Sequence, residues 1–240
     1  MAKPRVLAMV PAFNEEKSIA RTLRDIGQAT FDIDVIVIND GSKDRTSAAA
    51  RAAGGALVAD LPVNLGIGGA LQTGLLYAKR SGYDFAFQFD GDGQHRGDEI
   101  VTVLKPLIEG KADAVIGSRF LSRLPGFKST AARRIGIRIL QLANFLAAGV
   151  NITDCTSGFR AYNRDAIDFL AEHYPSDFPE PETVVLLAKN RFRIVEVFTQ
   201  MRERAQGISS ISGLRSFYYM VKVLLAIAMT ALRPRVRWKK

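Results

Sequence analysis

The sequence predicts an α/β fold, a mostly parallel sheet with helices on both faces, followed by an amphipathic helical tail. Three observations predict it. Short apolar runs alternate with helix-patterned stretches, which is the rhythm of βαβ units. Three of those runs end in carboxylate-bearing turns that a parallel sheet would gather on one edge. A length of 240 residues suffices for one large domain with a buried core.

In chain order, Val6 to Val10 is the first strand, and a helix from about Glu15 to Gln28 follows a Pro11-Ala12-Phe13-Asn14 turn. Asn14 is expected to cap that helix, with Glu15 and Glu16 as favourable first-turn charges. Val35 to Ile38 is the second strand, ending in Asn39-Asp40-Gly41-Ser42, and a helix near Asp44 to Ala53 leads to a short strand around Leu57. A glycine-rich start opens a helix over Gly66 to Lys79, and Phe85 to Phe89 is the next strand. A helix near Asp98 to Glu109 and a strand over Ala114 to Ile116 complete the regular part. Beyond Phe120 come a long helix bearing Arg133, Arg134 and Arg138, a Thr-Ser-Gly turn, and a strand over Arg193 to Phe198.

The most telling stretch is Phe87-Gln88-Phe89-Asp90-Gly91-Asp92-Gly93-Gln94-His95, an apolar strand running into two carboxylates one residue apart. Asp90 and Asp92 offer hard oxygens suited to Mg2+ or Mn2+, with phosphate oxygens and water completing the shell. Gln94 is a further neutral donor, and Gly91 lets a bulky ligand approach the backbone. An acidic β-turn uses the same residue types, but three carboxylate-bearing strand ends on one edge are hard to explain as unrelated turns. There is no G-x-x-x-x-G-K-[ST] loop, and Gly66-Ile67-Gly68-Gly69 lacks the dinucleotide spacing. Those two classes of nucleotide enzyme are excluded.

The net charge of +9 sits in the tail. From Lys189 to Lys240 twelve Lys and Arg face only Glu196 and Glu203, leaving a net −1 for residues 1–188. An apolar stretch, Phe217 to Leu232, is interrupted by Lys222 and followed by Arg233, Arg235, Arg237, Trp238, Lys239 and Lys240. It falls short of the ~20 residues that span a bilayer, so it is expected to lie in a membrane interface or dock on a membrane partner. Nucleic acid would also suit a basic tail, but that leaves the acidic strand ends without a purpose, and no nucleic-acid partner is expected. The N-terminus shows no signal-peptide pattern and the single Cys155 fits a reducing compartment. The expected location is cytoplasmic, peripheral on the inner membrane face.

The stretches Val10-Pro11-Ala12-Phe13-Asn14-Glu15-Glu16, Asn39-Asp40-Gly41-Ser42-Lys43-Asp44, Asn64-Leu65-Gly66-Ile67-Gly68-Gly69, Asp90-Gly91-Asp92-Gly93-Gln94-His95, Gly117-Ser118-Arg119 and Thr153 to Arg160 occur in family order. In them the chain resembles family-2 inverting glycosyltransferases of the GT-A (Rossmann-like) fold, most of all the dolichol- and polyprenyl-phosphate sugar synthases. The resemblance implies a catalytic domain over residues 1–210 and a membrane- or partner-associating tail over 211–240. It implies that Pro11, Ala12, Asn14 and Glu15 line a nucleotide pocket, that Asp40 bonds the base, and that Asp90, Asp92 and Gln94 hold Mg2+ or Mn2+. Relatives often carry Ala at the place of Gly91, a small-for-small change. Arg119 with Arg133 or Arg134 resembles a clamp for an acceptor phosphate, and Arg204 a loop that closes over the donor diphosphate.

The implied reaction moves a sugar from a UDP-, GDP- or dTDP-sugar to a polyprenyl phosphate, with a small membrane protein as a further partner. The competing reading is transfer to a sugar hydroxyl, which needs a general base. Asp154 or Glu182 would supply it. Asp154 is otherwise a turn residue or a partner for Arg160.

Overall fold

The computed structural model describes residues 3–121, 131–202, 214–236 and 238. Its strands are β1 (Val6–Ala12), β2 (Ile33–Asn39), β3 (Leu57–Asp60), β4 (Phe85–Gln88), β5 (Ala114–Ser118), β6 (Arg160–Asn163) and β7 (Ile194–Phe198). Its helices are α1 (Ile19–Gly27), α2 (Thr46–Ala53), α3 (Gly66–Ser81), α4 (Ile100–Ile108), α5 (Ala131–Ala148), α6 (Arg164–His173), α7 (Pro179–Lys189) and α8 (Leu214–Leu232). The seven strands form one sheet in the order β3-β2-β1-β4-β6-β5-β7.

The pairs β3–β2, β2–β1, β1–β4 and β5–β7 are parallel, as expected of βαβ units, while β6 runs antiparallel to both β4 and β5. Alternation along β1 divides the core. Leu7 and Met9 face the cluster built with α3 and α6, whereas Val6, Ala8 and Val10 face the cluster built with α1 and α4. Both faces of the sheet are therefore buried, and β1 reads as a continuous apolar run. A third cluster, with Leu140, Val184, Val185, Val223 and Ile227, joins α5, α7 and α8.

Helices α6 and α7 are not expected from the sequence, and three further features depart from it. Helix α1 begins at Ile19 after Ser18, so Asn14 does not cap it and Glu15 and Glu16 precede its first turn. Strand β6 escapes a search for apolar runs because it is four residues long and opens on Arg160, which is fully buried with its guanidinium on the carbonyls of Ser157 (2.8 Å) and Cys155 (2.8 Å). Trp238, expected to flank a membrane contact, turns inward and meets Phe169 edge-on at 5.5 Å.

Candidate functional site

The end of β1 organises the site through two carbonyls. Ala12 O accepts the Asp40 amide at 2.9 Å and Pro11 O accepts the Gly91 amide at 3.3 Å, so the turns after β2 and β4 are hung on β1. Asn14, in the left-handed region at φ 58°, stitches the first turn to the second. Its amide donates to Ser42 Oγ (3.0 Å) and its Oδ1 accepts from the Lys43 amide (2.9 Å). Glu15 N donates to Thr46 Oγ1 at 2.7 Å, and its carboxylate accepts from Ser18 Oγ. Glu16 bonds Asp44 through its amide (3.2 Å) and accepts the Arg45 amide (3.1 Å). Asp40 is buried and its Oδ1 accepts the Leu65 amide at 2.7 Å, fixing the approach to α3.

Asp90 and Asp92 stand past β4 on a cleft of about 190 Å³ that Pro11, Glu15, Gly91 and Glu180 also line. Asp90 has its side chain one-third exposed (33%) and is held from behind. Gln88 Nε2 donates to its Oδ1 (2.7 Å) and His95 Nε2 to its Oδ2 (3.1 Å). Burial by itself would lift the Asp90 carboxyl, but His95, Gln88 and the nearby Arg119 outweigh it and hold it below the usual carboxylate range. His95 is in turn stacked on Phe159 at 4.8 Å. Asp92 Oδ1 accepts the Gln94 amide at 3.0 Å.

Residues 153–160 form the back wall. Gly158 passes so close to Asp90 that a Cβ there would lie 2.6 Å from Asp90 Oδ2, leaving room for no side chain. Asp154 is buried and holds Arg119 side-on, Nε to Oδ2 and Nη2 to Oδ1 both at 2.7 Å. Its partner is thus Arg119 rather than the expected Arg160. Burial opposes charge on Arg119, and Asp154 more than offsets it, raising the guanidinium pKa further. Glu196 on β7 fixes the backbone of this pair, accepting the amides of Thr153 (2.8 Å) and Asp154 (2.7 Å).

Glu182 does not reach the cleft. It is buried, accepting from the Phe178 amide (3.2 Å) and from Thr230 Oγ1 (2.8 Å), and so ties α7 to α8. The carboxylate that α7 does present is Glu180. Burial raises its pKa, the charge of Arg160 opposes that, and the charge of Asp90 adds to it. The sequence does not single out Glu180: it stands in the first turn of α7, where carboxylates are ordinary. Nor does the sequence single out Arg202, whose amide donates to Gln94 O (2.8 Å) and whose guanidinium pairs with Asp25 on α1. Gln94 is half-buried and is tied at its backbone on both sides. Arg133 and Arg134 fall in the first turn of α5, with side chains outside the described residues. Arg204 also lies outside them, two positions beyond Arg202.

The donor set can be tested against a divalent cation. Among the described residues no group of three or more His, Cys, Asp or Glu surrounds a metal position. Asp90 and Asp92 instead provide one acidic side of an open cleft, with Asp90 kept ionised. That fits a hard cation whose other positions are filled by phosphate oxygens and water.

Comparisons with known proteins agree with this geometry. The family model "Glycosyl transferase family 2" matches residues 8–170. The chain is 34% identical over 219 residues to an undecaprenyl-phosphate mannosyltransferase of Micrococcus luteus, covering 87% of this chain and 88% of that one. It is 29% identical over 244 residues to a UDP-N-acetylglucosamine–dolichyl-phosphate N-acetylglucosaminyltransferase of Methanococcus voltae, covering 92% and 96%. Among solved structures, glucosyl-3-phosphoglycerate synthase of Mycobacterium tuberculosis, in complex with Mn2+, UDP-glucose and phosphoglyceric acid, superposes with a TM-score of 0.71 at 21% identity. That match covers 96% of this chain and 81% of the other, and it is a likeness of fold.

Proposed function

Because the chain belongs to glycosyltransferase family 2, we propose that it moves a sugar from a nucleotide-sugar donor to a polyprenyl phosphate, inverting the anomeric carbon. The single observation that carries the acceptor reading is the Arg119–Asp154 pair, a cation fixed in orientation and near enough for its charge to act on Asp90. A lipid phosphate is already an anion, so it needs a positioned cation rather than a general base. Relatives named for dolichyl and undecaprenyl phosphate support this choice.

Asp90 and Asp92 would hold Mg2+ or Mn2+, with Gln94 as a further oxygen donor. When bound, such a cation neutralises charge on the departing nucleoside diphosphate. The chain's own residues do the rest. The stitched turns carrying Asn14, Glu15 and Asp40, with Pro11 and Ala12, form the floor on which the nucleotide lies. Asp154 holds Arg119 in the plane that meets the acceptor phosphate, and Arg133 or Arg134 adds a second cation. Arg204 neutralises charge on the donor diphosphate. The protein works peripherally at the inner membrane face, alone or on a small membrane partner; none of its described helices is long and apolar enough to cross a bilayer.

A second reading is favoured by one observation. Glu180 lines the cleft with a raised pKa, which is what a general base for a sugar hydroxyl requires. The test is transfer of radiolabelled sugar from UDP-, GDP- and dTDP-sugars into polyprenyl phosphate, with manganese or chelator, in wild type and Asp92→Ala. Metal-dependent label in the organic phase is expected, with a loss of about 10³-fold in the variant. Donor hydrolysis without lipid product, together with transfer to a sugar hydroxyl, would overturn the phosphate acceptor.

A further inference from the structure

Ile19, Leu23 and Ile26 of α1 face the second core cluster. Two further buried positions on that helix break the apolar pattern: Thr22 is fully buried and Asp25 nearly so. Three positions apart, they lie on one face of the helix. Polar side chains persist in such places only where a partner replaces the water they give up.

Both serve the turn that carries Asp90 and Asp92. Thr22 Oγ1 donates at 3.1 Å to the carbonyl of Gly91, the residue between the two carboxylates. Asp25 acts through an intermediary, accepting Nη1 of Arg202 at Oδ2 and Nη2 at Oδ1 (3.3 Å). Arg202 in turn donates its amide to Gln94 O (2.8 Å) and Nη1 to His95 O (3.3 Å). The helix backbone meets the end of the turn directly. A Cβ on Gly97 would lie 1.9 Å from Asp25 O, so only glycine lets the two chains come this close.

The two residues that Arg202 grips by their carbonyls are the two that hold the carboxylates. His95 Nε2 donates to Asp90 Oδ2 at 3.1 Å, and the Gln94 amide donates to Asp92 Oδ1 at 3.0 Å. The segment that carries Arg202 is fastened independently of this link. Thr199 N donates to Ser118 O (3.0 Å), Gln200 N to Glu99 Oε1 (3.1 Å) and Arg96 Nη1 to Gln200 Oε1 (3.1 Å). What the guanidinium bridge adds is a fixed position for Gln94 and His95.

We propose that Asp25 and Arg202 are positioning residues for the divalent cation, setting the relative placement of Asp90 and Asp92 by way of His95 and Gln94. The inference rests on the reading of those two carboxylates as metal ligands. Groups that orient metal ligands from behind change affinity for the metal, typically by about 10- to 100-fold when removed. Helix α1 is then the base against which the cation site is adjusted.

The experiment measures Mn2+ binding to the full chain by water-proton relaxation, with Mn2+ alone and with Mn2+ plus UDP, GDP or dTDP. Asp25→Asn keeps the size of the side chain and removes its charge, and it should raise the Mn2+ dissociation constant about tenfold. Arg202→Gln should do the same. The double variant should bind no more than about threefold more weakly than either single one, because the pair acts as a unit. Glu172→Gln, which breaks the ion pair between α6 and Lys79 of α3, should leave Mn2+ affinity unchanged, and Asp92→Ala should abolish binding. Thermal unfolding of each variant supplies the contrast: a pair with a structural role alone predicts a lowered Tm at unchanged Mn2+ affinity. That result would overturn the proposal, as would single effects that multiply in the double variant or an equal weakening in Glu172→Gln. Binding that is absent in wild type or survives Asp92→Ala would instead remove the metal-ligand reading, and the proposal with it.

Discussion

The acidic cleft and the α5–α8 face are built by opposite rules. Around the cleft the carboxylates are held by fixed polar partners, although Gln88 Oε1 and His95 Nδ1 behind Asp90 have no hydrogen-bond partner of their own. Asp90 alone is held by Gln88, His95 and the close backbone at Gly158. On the outer face of α5 and α8, large apolar side chains stand in water with no carboxylate in either segment. A group that must keep one geometry through a reaction is over-determined by its neighbours. A surface that adapts to a fluid partner is not. The contrast teaches that exposure has two meanings in this molecule: for Asp90 it is an opening in a rigid wall, for Leu146 an unfilled contact.

The sharpest way to break the contrast is to disturb the wall. Gly158→Ala forces a Cβ toward Asp90 Oδ2 and Gln88 Nε2, at 2.6 and 2.7 Å, and transferase activity should fall about 10²-fold, as expected when a catalytic group is displaced by about 1 Å. Steady-state kinetics on the purified variant would show it. Asp154→Ala leaves the Arg119 guanidinium largely buried without its carboxylate. Denaturant unfolding should record a loss of about 3 kcal/mol, with activity reduced alongside. Glu180→Gln discriminates between acceptors. Transfer to a lipid phosphate should change by less than about fivefold, whereas a role as general base predicts a drop of 10²-fold or more.

Smaller effects test the other side of the comparison. Leu146→Gln on the outer face should shift unfolding free energy by no more than about 0.5 kcal/mol, since no packing is lost. The thiol of Cys155 is pushed up to about 11, chiefly by burial. It should resist thiol reagents at pH 8 until the protein unfolds. Because the folded state keeps this proton where the unfolded chain loses it, stability should decline as pH rises from about 9 toward 11. A native chain that reacts promptly at pH 8 would contradict the closed packing behind the cleft.

What the sequence made legible follows from range. Strands β1, β2, β4 and β5 are apolar runs that stop at polar turns, and their chemistry is local, so Asp40, Asp90 and Asp92 could be placed on one edge beforehand. The antiparallel β6 is too short and polar to announce itself, and its direction depends on pairing with β4 and β5 at once. The supports of the site were hidden for the same reason. Arg202 acts on Asp25 and Gln94, His95 on Asp90 through a ring stack with Phe159, and Asp154 on Arg119 across 35 positions of chain. Glu182 drew attention as an acid in the right region, yet its neighbour two positions earlier faces the cleft. A difference of about half a turn in helix phase is not readable from two glutamates in a proline-punctuated segment.

The antiparallel placement of β6 has a consequence for how such chains diversify. Ile116 of β5 lies opposite Arg160 of β6, so residues 119–159 leave and rejoin the sheet at neighbouring points. The connection between these two antiparallel strands is one wide lobe, and its described residues include both Asp154 and the whole of α5. Lengthening a lobe with fixed feet costs little, about 0.6 kcal/mol for each doubling. The lobe can therefore grow, shrink or be traded between relatives while the strands that carry Asp40 and Asp90 keep their register. Under the proposed function, the acceptor side lies on this variable connection and the donor side on the strands that keep their register.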